Sequence, residues 1–145
     1  MFYPLLMDLR GRRVLVVGGG LVAERKVESL LEAGSRVTLV APDVTPALQT
    51  LANSETICLL QRRFREEDLD GALLVISATD DSSIQEQVAA AARARNIPVN
   101  TVDQPRLCDF IVPAVLRRGD VVLAISTSGK SPALAAALRA RLDPI

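Results

Sequence analysis

The sequence predicts an α/β protein built on a doubly wound parallel sheet, with a small hairpin-plus-helix region following it. Three observations carry this. Between residues 13 and 100, short continuous apolar runs alternate with segments of helical character, the pattern of strands buried on both faces by crossover helices. The first run, Val14–Val17, passes directly into Gly18-Gly19-Gly20-Leu21-Val22-Ala23. Beyond residue 100 the alternation stops, and two strand-like runs flank a glycine-containing turn, which reads as an antiparallel hairpin.

The elements follow in order. After the glycines, a helix runs from Leu21 to about Ala33, where Gly34 can end it, and Arg36–Val40 forms the second strand. Thr45 before Pro46 is an N-cap followed by proline at the first helical position, opening a helix to about Asn53. Ile57–Leu60 is a short strand. The charged stretch Arg62–Asp70 is a loop with one helical turn around Glu66–Leu69. Ala72–Ser77 is the fourth strand, Ser82–Asn96 an alanine-rich helix with caps available from Asp80 to Ser82, and Pro98–Asn100 begins the fifth strand. Phe110–Leu116 and Val121–Ser126 flank Arg117-Arg118-Gly119-Asp120, and Ser131-Pro132 starts a last helix, Ala133–Leu142. A lone hairpin with one helix is too small to stand by itself, so it must pack on the sheet or on a second copy of the chain. The division is expected near Pro113, giving a domain over residues 1–113 and a dimerisation region over 114–145.

Composition narrows the function. The chain has 145 residues, 49% hydrophobic and only 3% aromatic, so its core is aliphatic. Lys+Arg and Asp+Glu both number 17, and this balance, with few aromatic stacking platforms, argues against a nucleic-acid partner. There is no histidine, and Cys58 and Cys108 are the only cysteines, so a zinc site of the usual kind is not expected. No metal ligand set is assigned. No apolar run is long enough to span a membrane and no signal-peptide pattern opens the chain. A soluble, reducing, cytoplasmic setting is the default reading.

Gly18, Gly20 and Ala23 fit the G-x-G-x-x-G/A spacing of a dinucleotide-binding turn, so the predicted fold is Rossmann-like. Gly18 permits the tight turn, and Gly20 leaves the backbone open to a pyrophosphate at a helix N-terminus, where unpaired N–H groups and the helix dipole favour anions. An acid normally holds the adenosine ribose at the end of the second strand. Here that strand ends Val40-Ala41-Pro42-Asp43, so Asp43 lies slightly beyond the usual place, and either it or the Pro42-Asp43 backbone meets the ribose, or Asp43 is simply a turn residue. No arginine directly follows this strand, which favours NAD over NADP. Ligands of such sheets sit at the carboxyl ends of the strands. Ala78-Thr79-Asp80 follows the fourth strand and should lie beside the nicotinamide half, or cap the next helix, or both. Asp103 follows the fifth and should face the same crevice, where a carboxylate can accept the proton that leaves when a hydride is removed. As a lone acid in a turn it also has a purely structural reading. Gly129-Lys130-Ser131 is not a P-loop, because the required earlier glycine is Ala124. The Ser126–Ser131 stretch reads instead as anion capture or as a capped helix start.

Several stretches together resemble one family. Tyr3-Pro4-Leu5 through Arg10, Val17–Lys26 with its Ala-Glu-Arg-Lys tail, Ala78–Asp81, Asn100–Asp103, Cys108–Ala114 and Ile125–Ala133 look like the precorrin-2 dehydrogenase and sirohydrochlorin ferrochelatase family of sirohaem synthesis. The resemblance implies NAD-dependent oxidation of precorrin-2 to sirohydrochlorin, followed in some members by ferrous ion insertion, in a homodimer intertwined through the region after the sheet. It implies that Asp103 serves the oxidation, and that Leu21, Val22, Pro42, Asp43 and the turn with Thr79 and Asp80 contact the cofactor. The carboxylate-rich tetrapyrrole would meet Asn100, Ser126, Thr127, Ser128 and Lys130. Chains of that family usually continue into further helices or a fused methyltransferase, so a chain stopping at Ile145 reads as a short version or a fragment. The glycine turn and sheet alone also suit a NAD-sensing module without chemistry. The Asn100–Ala133 segment separates the two readings, since a sensor has no need of it.

Overall fold

The computed structural model describes residues 1–143. Five parallel strands, β1 (Arg13–Val17), β2 (Arg36–Val40), β3 (Cys58–Leu60), β4 (Leu74–Ser77) and β5 (Val99–Thr101), hydrogen-bond in the order β3-β2-β1-β4-β5. The register pairs Val17 with both Val40 and Ser77, Val40 with Leu60, and Ser77 with Thr101. The strands therefore end level, and the loops leaving them share one edge of the sheet.

Helices cover the sheet because its strands are apolar on both faces. The helix α1 (Leu21–Glu32) buries Ala23, Val27 and Leu30 and packs on β1 and β2. The helix α3 (Ser82–Ala94) buries Val88, Ala89, Ala91 and Ala92 in one cluster with Leu15, Val17, Val75 and Val99. Its alanines allow close approach, and each fully buried valine or leucine beneath it contributes about 2 kcal/mol. Between them in sequence, α2 (Pro46–Asn53) starts as its residues dictate, with Thr45 Oγ1 accepting from Leu48 N at 3.3 Å. For α3 the cap is Asp81, whose Oδ1 accepts from Ser83 N and Ile84 N.

Most element boundaries differ from expectation by a residue or two, but the strand expected over Phe110–Leu116 begins only at Ala114, after Pro113. The helix α3 ends at Ala94 because Asn96 takes a left-handed conformation, φ 55°, a common helix stop. β4 begins at Leu74, after Gly71 turns the chain with φ 79°.

The chain forms two units, Leu5–Asp109 and a second made of Met1–Pro4 with the chain from Phe110 onward. The division thus falls after Asp109, whose backbone and carboxylate are both bonded to Val99. In the second unit β6 (Ala114–Arg118) and β7 (Val121–Ile125) form an antiparallel hairpin. Arg117 and Arg118 belong to the ladder, leaving Gly119-Asp120 as the turn, with φ 57° at the glycine. The helix α4 (Pro132–Leu142) follows, and Arg118 pairs with Asp143.

One ion pair closes the loop before β4. Asp68 lies in a 3-10 turn, Glu66–Leu69, with its side chain 3% exposed and its two oxygens 2.6 and 2.9 Å from the Arg62 guanidinium. Burial alone would raise the Asp68 carboxyl, but the Arg62 fork and the Arg65 amide at 2.8 Å outweigh it and hold the pKa below the ordinary value. The stability this supplies is present above the unfolded-state pKa, about 4, and is lost as pH falls through the lower folded value. Asp68→Asn should cost about 2 kcal/mol at neutral pH, as loss of hydrogen bonds to a charged group. In denaturant titrations the gap between wild type and variant should close as the pH is lowered below about 4; a gap unchanged on acidification would contradict the assignment.

Candidate functional site

The glycine turn is set by backbone proximity. A Cβ on Gly18 would lie 2.7 Å from the Ala78 carbonyl carbon, and one on Gly19 would lie 2.0 Å from the Asp43 carbonyl oxygen. Gly18 also adopts φ 124°. Three hydrogen bonds hold the turn in place: Gly18 N to Val40 O, Ala78 N to Val17 O, and Thr45 N to Gly19 O. The loops after β1, β2 and β4 are thereby locked together.

Gly20 is different. Its φ of −88° is ordinary, no side chain caps α1, and a Cβ there would meet nothing within 4 Å. Beside it Leu21 is 70% exposed, an apolar side chain standing in the open at a helix start. An uncapped N-terminus with free space above it presents N–H donors and a positive dipole end to an anion. These residues fit the pyrophosphate of a dinucleotide.

A cleft of about 170 Å³ adjoins this turn, lined by Val17, Gly18, Val40, Ala41, Pro42, Arg63, Phe64, Thr79, Asp81 and Ile84. Its walls are largely apolar, suited to a flat ring. Arg63 and Phe64 come from the loop after β3, and no reading of sequence order placed them there. The only available signal was Phe64, a lone aromatic within a charged stretch. Arg63 also brings an arginine to the cleft that the end of β2 lines, where no arginine follows in sequence. Pro42 lines the cleft, whereas Asp43 is exposed, its side chain without a hydrogen bond among the described residues. Thr79 bridges to the next helix, its Oγ1 accepting from Asp81 N and its carbonyl from Gln85 Nε2 at 2.7 Å. Asp80 is exposed beside it. Val22 is half-buried on α1.

Asp103 leaves the same sheet edge two residues after β5. It is exposed and has φ 61°, and its carboxylate has no hydrogen bond among the described residues. Asn100, within β5, is buried, 8% exposed. Lys26, on α1, is half-buried. Burial pulls the Lys26 ammonium below its ordinary pKa, Arg25 adds to this, and Asp103 opposes it. The Asp103 carboxylate thus acts on the Lys26 ammonium, a proximity that the motif itself did not announce.

The Ser126–Ser131 loop belongs to the second unit. Ser126 Oγ accepts from Ser128 N, Thr127 Oγ1 accepts from Ser131 N at 2.8 Å, and Ser131 Oγ caps α4 at Leu134 N. Ser128 and Gly129 both have positive φ, 59° and 78°. The hydroxyl oxygens thus hold the loop, and their O–H groups, with the exposed Lys130, remain able to donate outward.

A larger cavity of about 500 Å³ lies at the opposite end of β1–β3, lined by Arg13, Arg36 and Cys58 among others. Its cations are already used. Arg13 donates to the carbonyls of Asp68 and Asp70 and to Thr38, and Arg36 Nε donates to Gly11 O. Among the described residues no cluster of three or more His, Cys, Asp or Glu is arranged to hold a metal, and no helix is long and apolar enough to cross a membrane.

Comparison with known proteins agrees with this geometry. Residues 5–114 match the family model described as "Putative NAD(P)-binding", and residues 118–143 match "Sirohaem biosynthesis protein central". The chain is 46% identical over 142 residues, 98% of its length, to a siroheme synthase of Ectopseudomonas mendocina (strain ymp), of which it covers 30%. It is 45% identical over 144 residues to a siroheme synthase of Nitrosococcus oceani, covering 99% of this chain and 31% of that protein. The chain thus spans about three-tenths of the length of these relatives. A solved structure of SirC, a precorrin-2 dehydrogenase, superposes with a TM-score of 0.83 at 31% identity, over 99% of this chain and 70% of that one. This chain belongs to the sirohaem-biosynthesis family of NAD(P)-binding proteins.

Proposed function

We propose that this chain binds NAD along the carboxyl edge of its sheet and oxidises precorrin-2 to sirohydrochlorin there. The observation that carries the reading is the shared edge: the uncapped start of α1 at Gly20 and the unpaired carboxylate of Asp103 leave the same parallel sheet from level strand ends. The likeness to a precorrin-2 dehydrogenase over 99% of the chain supports the choice of substrate.

NAD, when bound, supplies the hydride acceptor. The first-turn N–H groups of α1 bind its pyrophosphate, and Leu21 and Val22 flank it. Pro42 and Asp43, with Arg63 and Phe64, meet the adenosine end, and the turn with Thr79 and Asp80 lies beside the nicotinamide half. Asp103 holds the proton given up as the macrocycle is oxidised. Its exposure keeps the carboxylate in exchange with water, which removes that proton. Asn100 and the outward donors of Ser126, Thr127, Ser128 and Lys130 bind substrate carboxylates. The second unit completes the molecule as a homodimer interface. Among its described residues only Leu116 and Ala135 are buried hydrophobics, while Val121, Leu123, Leu134 and Leu138 are 61%, 43%, 51% and 39% exposed. The setting is cytoplasmic, in keeping with two free thiols.

Mixing the protein with precorrin-2 and NAD, with NADP in a parallel trial, should produce absorbance of the reduced cofactor; binding of NAD without reduction would instead make the chain a sensing module. Asp103→Asn should retain NAD affinity and lose turnover by on the order of 100-fold, the usual worth of a positioned proton acceptor. An unchanged rate would remove Asp103 from the reaction. Gly20→Val should fold normally, because the backbone there is extended and its surroundings empty. Its dissociation constant for NAD should rise roughly tenfold or more, about 1.4 kcal/mol. Equal affinity by calorimetry would place the pyrophosphate elsewhere.

A further inference from the structure

β5 is the edge of the sheet, so one side of its backbone has no neighbouring strand. Two adjacent side chains take that strand's place. Asp109 Oδ2 accepts from Val99 N at 3.1 Å, and Asp109 N donates back to Val99 O at 2.7 Å. One pair further along, Thr101 N donates to Cys108 Sγ at 3.2 Å. The thiol in turn lies 3.1 Å from Thr101 O and 3.4 Å from Gln104 O.

The second of these contacts encloses the turn that carries Asp103. Gln104 N donates to Thr101 O at 3.2 Å, so residues 101–104 form one closed turn, with Asp103 inside it at φ 61°. A non-glycine residue in that conformation costs on the order of 1 kcal/mol and persists only where its surroundings enforce it. Cys108 touches both ends of the turn at once. Without its sulfur, Thr101 N loses its acceptor and the turn loses its outer clasp.

We infer that Cys108 is a positioning residue for Asp103: its thiol, bonded to Thr101 and Gln104, holds the turn that aims the carboxylate. This rests on the role proposed above for Asp103. Serine in its place keeps a donor and an acceptor on a shorter bond, and alanine keeps neither. Asp109 is the internal control, since it grips β5 two residues before the point where Cys108 holds the turn, and it also pairs with Arg93 at 3.3 Å.

The test compares Cys108→Ala, Cys108→Ser and Asp109→Asn in the full chain, by steady-state kinetics with precorrin-2 and NAD and by thermal melting. Cys108→Ala should lower kcat on the order of tenfold to a hundredfold, as expected of a small misplacement of a reacting group. KM for both substrates should stay within about twofold, and Cys108→Ser should recover most of the loss. Asp109→Asn should lower the melting temperature with kcat little changed. Wild-type kcat in Cys108→Ala overturns the inference, and so does a loss of kcat that Asp109→Asn matches or that serine does not relieve. Should Cys108→Ala not fold, Cys108→Val, equally without a hydrogen-bond donor or acceptor but closer to cysteine in volume, takes its place: a loss of kcat at unchanged KM that serine relieves supports the inference, and wild-type kcat overturns it. Full activity in Asp103→Asn would instead remove the role of Asp103 itself, whatever the Cys108 variants do.

Discussion

A backbone approach that only glycine permits sets the geometry of the carboxyl edge. Gly18 lies against the Ala78 peptide and Gly19 against the Asp43 carbonyl, at separations where any Cβ would overlap backbone atoms. Backbone cannot rotate away as a long side chain can, so these contacts fix the turn against the loops after β2 and β4. The start of α1 is fixed with it. Because the strands end level, the direction in which that helix offers its N–H groups is set relative to every loop on the edge. Gly20 plays the complementary part, since nothing surrounds it, and the space left there admits a ligand rather than a neighbouring element.

The two ends of the site are held by different means. At β1 the constraint is backbone against backbone, needing no side chain. At β5 the sheet has run out of partners, and side chains substitute: the Asp109 carboxylate and the Cys108 thiol bond groups that another strand would otherwise bond. This also blunts an exposed edge that would be open to pairing with another chain. An edge position leaves Asp103 in contact with water, while the clasp behind it holds its backbone in one conformation. Accessibility and order, which usually oppose one another in a loop, are thus separated between the side chain and the main chain.

Local chemistry made much of this readable in the sequence. Thr45-Pro46, Ser131-Pro132 and Asp81 cap helices because short polar side chains reach N–H groups two or three residues on, a relation contained within one turn of chain. The glycine turn was readable for a similar reason, as strand, glycines and helix are consecutive. Arg63 and Lys26 were not. Arg63 reaches the Gly18 cleft only because β3 lies beyond β2 in the sheet, and the sequence does not state strand order. Lys26 senses Asp103 only through the packing of α1 over the sheet. The Cys108–Thr101 contact spans seven residues but depends on β5 being an edge strand, which again is a property of topology. The hairpin ladder reaches through Arg117 and Arg118 because a two-residue turn at Gly119-Asp120 suffices, whereas the apolar runs in the sequence leave all four residues between the strands.

The most direct test of the whole account is a crystal structure of the chain with NAD bound. The account predicts pyrophosphate oxygens within hydrogen-bonding distance of the N–H groups at the start of α1, the adenosine in the cleft beside Pro42 and Phe64, and the nicotinamide ring facing Asp103. Phosphates held instead by the arginines at the opposite end of β1 and β2, or a nicotinamide ring turned away from Asp103, would contradict it.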